Sequence, residues 1–254
     1  MQIRVLGCSG GIGGELRTTS LLVDDDILID AGTGVGDLTL EEMSRIRHIF
    51  VTHSHLDHIA GIPLMVDSIF GQIETPITLH ASAETVAALR EHIFNWKIWP
   101  DFTVLPSATS GVLRYQVMSP DEVCRQGTRT LRMVPVNHAV PGVAYCIESA
   151  GQVVAFSGDT TTNDSLWAAL NAYADLAVLI IECAFPNQER DLCLKAYHYC
   201  PELLARDLGK LRHRPRLYLT HLKPGAEAQI ERECRALIED FELRRLFGGD
   251  LIQL

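Results

Sequence analysis

Length, composition and charge already exclude several classes of protein. The chain has 254 residues, 47% apolar and 21% charged, so it can bury a sizeable core as one large α/β domain or two small ones. This apolar content excludes disorder, and no apolar run approaches the roughly 20 residues that a membrane-spanning helix needs. The net charge of −10 disfavours capture of nucleic acid, because that binding depends on neutralising phosphates with basic side chains.

The first half of the chain alternates strand and helix patterns. Apolar, β-branched segments are separated by a glycine-rich turn at 10–14 and an aspartate turn at 24–26. The expected strands cover residues 3–6, 20–23, 27–29, 48–51 and 77–79. Helices are expected over residues 39–46, 59–69 and 82–93. Ser82 is the expected N-cap of the third helix.

The second half begins with strands and continues with alternating helices and strands. Residues 112–156 are expected to be mostly strands, broken by turns at Pro120, Gly127, Pro141 and Gly151. Helices are then expected over 164–170, from Pro201 onward and over 226–240, and strands over 176–181 and 217–219. No linker or repeat interrupts the chain, so we expect one domain over residues 1–254, with two sheets packed face to face and helices outside.

The N-terminal segment and the cysteines indicate the compartment. Residues 1–11, MQIRVLGCSGG, carry polar and charged side chains where a signal peptide needs a continuous apolar core, so we expect a cytoplasmic protein. The chain has seven cysteines and no Cys-x-x-Cys pair. That pattern disfavours a disulfide framework or a thiolate zinc site, and most of these thiols are expected to be reduced core residues.

Residues 51–58, Val-Thr-His-Ser-His-Leu-Asp-His, concentrate metal-ligand side chains after a buried strand. The candidate ligands here are His53, His55, Asp57 and His58. A lone histidine is usually a structural residue, but four imidazole and carboxylate groups placed so compactly favour a metal site. Three further candidates follow apolar strand patterns: His138, Asp159 and His221. Each alone is more often a turn residue, whereas together with the cluster they indicate a larger site.

The order His-x-His-x-Asp-His, then His, then Gly-Asp-Thr, then Thr-His resembles the metallo-β-lactamase superfamily across residues 7–221. The resemblance implies an α/β (α+β) fold, a four-layer αββα sandwich with a dinuclear metal site. It implies that one metal is bound by His53, His55 and His138. It implies that the other is bound by Asp57, His58 and His221, with Asp159 bridging the two. The cofactors implied are two divalent ions, with zinc favoured and manganese or iron also compatible.

Residues 53–62, HSHLDHIAGI, resemble the signature of class II cyclic nucleotide phosphodiesterases, with Leu56 before the aspartate. Residues 92–103 and 198–204 are also similar to bacterial members of that group. The chain departs from the pattern after Gly61, where Pro63 and Asp67 interrupt a more uniformly apolar helix. The resemblance implies an enzyme that hydrolyses 3′,5′-cyclic nucleotides, cyclic AMP or cyclic GMP, to nucleoside 5′-monophosphates with a metal-bridging hydroxide.

Two residues are candidates for direct catalysis. Asp57 is expected to orient the attacking nucleophile and hold its proton. His198 precedes Pro201, a favourable first helical residue, and is expected to donate a proton to the leaving oxygen or to bind phosphate. The alternative for His198 is a hydrogen-bonded surface histidine.

Other notable residues have simpler interpretations. The aromatic side chains of Phe94, Trp96, Trp99 and Phe102 could stack on a purine, but a core or subunit-interface role is favoured, and a homodimer is compatible with it. No functional role is expected for His48, His80, His92 or His213. The glycines at 10–14 match no phosphate-binding motif and are interpreted as a turn near the metal site, and residues 18–20 are candidates for substrate contact.

Three alternative functions remain open. A ribonuclease Z-type tRNA 3′-processing endonuclease resembles the same ligand pattern, but it is expected to carry glycine in place of Leu56 and a basic arm for tRNA. The same metals would also support hydrolysis of esters, thioesters or lactones. A non-catalytic or redox di-iron module is the alternative from a different class. The expected partner is a small cyclic nucleotide, with neither nucleic acid nor a membrane involved.

Overall fold

The computed structural model describes all 254 residues, and the chain divides into two compact units. Unit 1 contains residues 1–7, 17–119 and 248–253, and unit 2 contains residues 8–16, 120–247 and 254. Each unit has its own seven-stranded sheet and its own apolar core. The mixed α/β class with two sheets is therefore confirmed, while the single domain over residues 1–254 stays a prediction.

Unit 1 combines antiparallel and parallel strands in one sheet. Its strands are β1 (Gln2–Gly7), β2 (Ser20–Val23), β3 (Ile27–Ile29), β4 (His48–Phe50), β5 (Ile77–Ala81), β6 (Leu113–Val117) and β14 (Leu251–Gln253). They are ordered β14-β1-β2-β3-β4-β5-β6, antiparallel from β14 to β3 and parallel from β3 to β6. Its helices are α1 (Leu40–Arg45), α2 (Leu56–Ile59), α3 (Gly61–Ser68) and α4 (Ala83–Ala88).

Unit 2 repeats this strand pattern. Its strands are β7 (Val123–Gln126), β8 (Arg129–Val136), β9 (Gly142–Ser149), β10 (Gln152–Phe156), β11 (Val178–Glu182), β12 (Arg216–Thr220) and β13 (Leu243–Arg245). They are ordered β13-β12-β11-β10-β9-β8-β7, antiparallel from β7 to β10 and parallel from β10 to β13. Its helices are α5 (Ser165–Asn171), α6 (Arg190–Lys195), α7 (Pro201–Leu208) and α8 (Glu227–Leu237).

Local chemistry explains why the elements begin where the sequence predicts. Thr39 accepts a hydrogen bond from Glu42 N and forms a capping box at the start of α1, and Ser82 accepts from Thr85 N at the start of α4. Pro201 occupies the first turn of α7, where its missing N–H costs nothing. The buried strands then fix the sheets, since each buried leucine or isoleucine contributes roughly 1.5–3 kcal/mol.

The structure differs from the sequence-based expectation in a few elements. The helix predicted over 59–69 begins earlier and is divided into α2 and α3. The division falls at Gly61, whose N–H donates to Ala31 O. A Cβ on Gly61 would lie 2.6 Å from Gly32 O, so this close approach requires glycine. The helix predicted over 82–93 changes from α4 to a π-helical turn at Leu89–Ile93. The strands β13 and β14 and the helix α6 were not predicted, since each is short and lacks a clear apolar period.

Two compositional expectations are also settled by the structure. All seven cysteines are free thiols, and five of them are buried, as the odd count without paired spacing indicates. None of the helices combines the length and the apolar content needed to cross a bilayer. The cytoplasmic location stays a prediction.

Candidate metal centre

The carboxyl ends of the parallel strands carry the candidate ligands in both units. In unit 1, β4 is followed by the segment that contains the histidine cluster, and β3 is followed directly by Asp30. In unit 2, β10 leads to Asp159 and β12 leads to His221. Loops at this edge of a parallel sheet are the usual place for binding sites, because several strand ends converge there.

His53 and His55 in unit 1 direct ring nitrogens at each other. His53 Nε2 lies 3.1 Å from His55 Nδ1, and the rings meet edge to face with centroids 4.7 Å apart. The hydroxyl of Thr52 donates to Asp30 Oδ2 at 2.8 Å, so it accepts from His53 Nδ1 at 3.0 Å. This assigns the proton of His53 to Nδ1 and leaves Nε2 as the nitrogen that can bind a metal.

Asp30 organises the whole histidine segment of unit 1. Its carboxylate is fully buried and accepts from Thr52 N at 2.7 Å and from His58 Nδ1 at 2.6 Å. Burial raises the pKa of Asp30 above its ordinary value, although the His58 imidazole and the Thr52 donors act to lower it. Asp30 also has a left-handed backbone, with φ of 55°, so the position is conformationally costly. Its contacts orient both His53 and His58.

Asp57 and His58 lie next to each other in α2. The side chain of His58 is fully buried, whereas the side chain of Asp57 is 29% exposed. Asp57 Oδ2 lies 3.9 Å from His58 Nε2, and the Nδ1 of His58 is held by Asp30. The buried imidazole is therefore fixed by a carboxylate behind it, which is the usual support of a metal-binding histidine.

The candidate ligands of unit 2 are equally constrained. His138 Nδ1 donates to Tyr197 O at 2.9 Å, and Tyr197 has a left-handed φ of 57° that places this carbonyl. His221 also has a left-handed backbone, with φ of 62°, and its Nε2 lies 3.3 Å from Asp159 Oδ2. The ligand atoms of His138 and Asp159 lie within 4.8 Å of each other. Strained backbone at two of these positions is typical of functional sites.

His198 lies among these residues and is buried. Its ring stacks on His221 with centroids 5.3 Å apart and meets His138 at 5.1 Å, and its Nδ1 donates to Glu182 Oε1 at 2.9 Å. Burial lowers the pKa of His198, but the charge and hydrogen bond of Glu182 raise it more, so the net pKa is raised. The side chain is only 8% exposed, so His198 is not the surface histidine of the simpler alternative.

The donor chemistry of these residues suits divalent metal ions. Ligands 2.0–2.1 Å from a tetrahedral zinc ion lie about 3.3 Å from each other. The nitrogen pair of His53 and His55 at 3.1 Å and the pair of Asp159 and His221 at 3.3 Å are both close to this spacing. Imidazole and carboxylate donors accept zinc, manganese or iron, so the chemistry fits a divalent metal without choosing one.

Two supporting residues escaped the sequence-based prediction. Asp30 directly follows the apolar strand β3. Glu182 is the last residue of β11 and accepts from His198 Nδ1 and from Thr160 N. Both match the pattern that identified Asp159, which is an acidic residue at the end of an apolar strand. They were missed because neither lies next to a histidine in the sequence.

The remaining candidates have structural surroundings. Phe94 and Phe102 are buried in the core of unit 1 and Trp99 packs against it, whereas Trp96 is 62% exposed. The favoured core role thus holds for three of the four aromatic residues, and the homodimer stays a prediction. Thr18 Oγ1 accepts from Thr33 N, which supports the neighbouring loop.

Residues 25–222 match the family described as the β-lactamase superfamily domain. The chain belongs to this superfamily, and with its histidine and aspartate donors it is an enzyme of the metallo-β-lactamase-fold hydrolases. It is 33% identical over 252 residues to the probable 3′,5′-cyclic-nucleotide phosphodiesterase of Yersinia pestis, with 83% of this chain and 72% of that relative covered. The family resemblance of the sequence is thereby confirmed.

Two further similarities bear on fold and substrate. Unliganded yeast PDE1 matches this structure with a TM-score of 0.83 and 20% identity, covering 100% of this chain and 99% of that chain, which shows a shared fold. The ribonuclease Z of Haloarcula marismortui is 29% identical over 159 residues, but the match covers 58% of this chain and 47% of that relative.

Proposed function

We propose that this enzyme hydrolyses the phosphodiester of 3′,5′-cyclic nucleotides, cyclic AMP or cyclic GMP, to nucleoside 5′-monophosphates. The observation that carries the proposal is the close spacing of histidine and aspartate donors within each unit, as in the His53–His55 pair and the Asp159–His221 pair. The substrate class is supported by the similarity to the probable cyclic-nucleotide phosphodiesterase of Yersinia pestis and by Leu56 within the histidine segment.

We assign these donors to two metal sites. As the family resemblance implies, the first would be held by His53, His55 and His138. The second would be held by Asp57, His58 and His221. Asp159 would contribute its carboxylate to both. Zinc is the proposed metal, and manganese and iron are compatible with the same donors.

The protein residues then have distinct tasks in the reaction. When bound by these residues, two divalent ions would supply a lowered pKa for water and positive charge to offset the phosphodiester. The hydroxyl of water adds to phosphorus, the bond from phosphorus to O3′ breaks, and O3′ takes up a proton. Asp57, the most exposed carboxylate of the group, accepts the proton of the attacking water. His198 donates a proton to O3′ from Nε2, since Glu182 occupies its Nδ1.

The support that Asp30 gives to the metal ligands leads to a testable prediction. Asp30→Asn replaces a carboxylate oxygen opposite His58 Nδ1 with either an amide N–H or a weaker acceptor. We expect metal affinity to fall about 10- to 100-fold, as for other carboxylates behind metal-binding histidines. Competition with a chromogenic chelator measures this affinity. Asp25→Asn on the exposed turn before β3 is the matched control, and equal affinity in the two variants would show that Asp30 has no such role.

Processing of tRNA is the second candidate function, because relatives named ribonuclease Z also match part of the chain. Two features oppose it. Leu56 stands where that group is expected to have glycine, and the net charge of −10 is unfavourable for a large polyanion.

A substrate panel distinguishes these functions. The zinc-loaded enzyme should hydrolyse cyclic AMP or cyclic GMP to the 5′-monophosphate, identified by chromatography, faster than a thioester, a lactone or a precursor tRNA. Preferential cleavage of the tRNA, or of a carboxyl ester without cyclic nucleotide turnover, would replace the proposed function by the corresponding alternative.

A further inference from the structure

The turn that begins at Gly10 lies against the segment that follows β12, within unit 2. Ser9 and Leu222 form a parallel bridge, and Gly10 N donates to Leu222 O at 3.0 Å. His221 N donates to Cys8 O at 2.7 Å. A Cβ on Gly10 would lie 2.5 Å from the His221 carbonyl oxygen, so the close approach requires glycine. The turn is therefore fixed to the strand end that carries His221.

Lys223 places a positive charge beside this turn. Its Nζ donates to Gly10 O at 2.9 Å and lies 5.9 Å from the centroid of the Phe185 ring. Lys210 forms ion pairs with Asp164 and Asp207, whereas Lys223 forms no ion pair. An ammonium group has three N–H donors, so Gly10 leaves two of them for a ligand.

Phe185 connects this cation to the candidate proton donor. The ring centroids of Phe185 and His198 lie 5.7 Å apart, and His198 stacks on His221. The ammonium, the proton donor and a candidate metal ligand thus share one region of unit 2.

We propose that Lys223 binds a non-bridging oxygen of the substrate phosphodiester through the N–H donors that Gly10 does not use. The inference rests on the proposed phosphodiesterase function and names a residue that recognises the anionic group of its substrate. A partly buried ammonium without a carboxylate partner is free to compensate a ligand charge, and hydrogen bonds between charged groups are strong. In a chain of net charge −10, such a local cation also offsets the repulsion of an anionic substrate.

The test compares Lys223→Met and Lys223→Arg with Lys97→Met, which removes one positive charge at an exposed position of unit 1. KM and kcat are measured on the zinc-loaded enzymes with the better of cyclic AMP and cyclic GMP. We expect Lys223→Met to raise KM about tenfold or more, with kcat changed less, because a charge-assisted hydrogen bond to the phosphate is lost. Lys223→Arg should recover most of the affinity, and Lys97→Met should match the wild type.

The remaining outcomes separate this inference from the proposed function. An unchanged KM in Lys223→Met, with an active wild type, overturns the role of Lys223 and leaves the phosphodiesterase standing. If Lys223→Met lowers the thermal midpoint or the zinc content and Lys223→Arg fails to restore it, Lys223 has a structural role instead. That result also overturns the proposed phosphate contact. If the wild type hydrolyses no phosphodiester, the proposed function fails. The role of Lys223 is then tested by measuring the binding of adenosine 5′-monophosphate to the wild type and to Lys223→Met by calorimetry. Binding weakened tenfold in Lys223→Met supports the inference, and equal or absent binding contradicts it.

Discussion

Asp159→Ala is expected to lower kcat/KM for cyclic AMP by roughly 10³-fold, the largest single effect in the molecule. Asp159 is the ligand that the proposal places in both metal sites, so its loss would remove one ligand from each of them. Electrostatic stabilisation of a developing oxyanion is usually among the largest contributions to catalysis, and here it depends on correctly held cations. Steady-state kinetics together with the zinc content of the variant measure the effect.

The control for Asp159→Ala is Asp175→Ala, at an exposed position of the same unit. Far-ultraviolet circular dichroism should show that both variants are folded, since the sheet of unit 2 depends on its apolar core rather than on Asp159. Turnover near the wild-type value with a full metal complement in Asp159→Ala would rule out the bridging assignment.

His198→Ala is expected to reduce kcat for cyclic AMP by roughly 10²-fold, because general acid catalysis contributes on this scale. The ribose O3′ is a poor leaving group that must take up a proton as its bond to phosphorus breaks. The p-nitrophenolate of bis(p-nitrophenyl) phosphate leaves without protonation. The variant should therefore retain most of its kcat with this second substrate, and the ratio of the two effects measures the proton transfer.

A structural role for His198 gives a different result. Loss of its hydrogen bond to Glu182 and its stacking on His221 would then disturb the metal ligands and slow both substrates equally. His92→Ala, at an exposed position of unit 1, is the matched control and should leave both rates unchanged. Equal losses with the two substrates in His198→Ala would contradict the proton-donor assignment.

Much of the fold follows from the sequence because its apolar strands are short, buried and bounded by clear turn residues. The strands β2 and β3 have the predicted bounds, and Ser82 caps α4 as expected. The edge strands β13 and β14 were not predictable in this way. Their three-residue segments owe their conformation to pairing with β12 and β1, which is a long-range effect.

The residues of the candidate site were likewise predictable where they are close together in the sequence and not where they are far apart. His53, His55, Asp57 and His58 were found because they are adjacent in the sequence, so their density alone indicates metal chemistry. Asp30 and Glu182 act on histidines that lie 28 and 16 residues away along the chain. Sequence spacing carries no information about such contacts until the strands are paired.

Zinc titration of the metal-free enzyme tests whether hydrolysis depends on two bound metal ions. The protein is stripped with a chelator, and bound zinc and cyclic nucleotide turnover are followed together as zinc is added. We expect turnover to be absent without metal and to reach its maximum at two zinc ions per chain, one for each proposed site. Full turnover at one ion per chain, or undiminished turnover in the stripped enzyme, would contradict it.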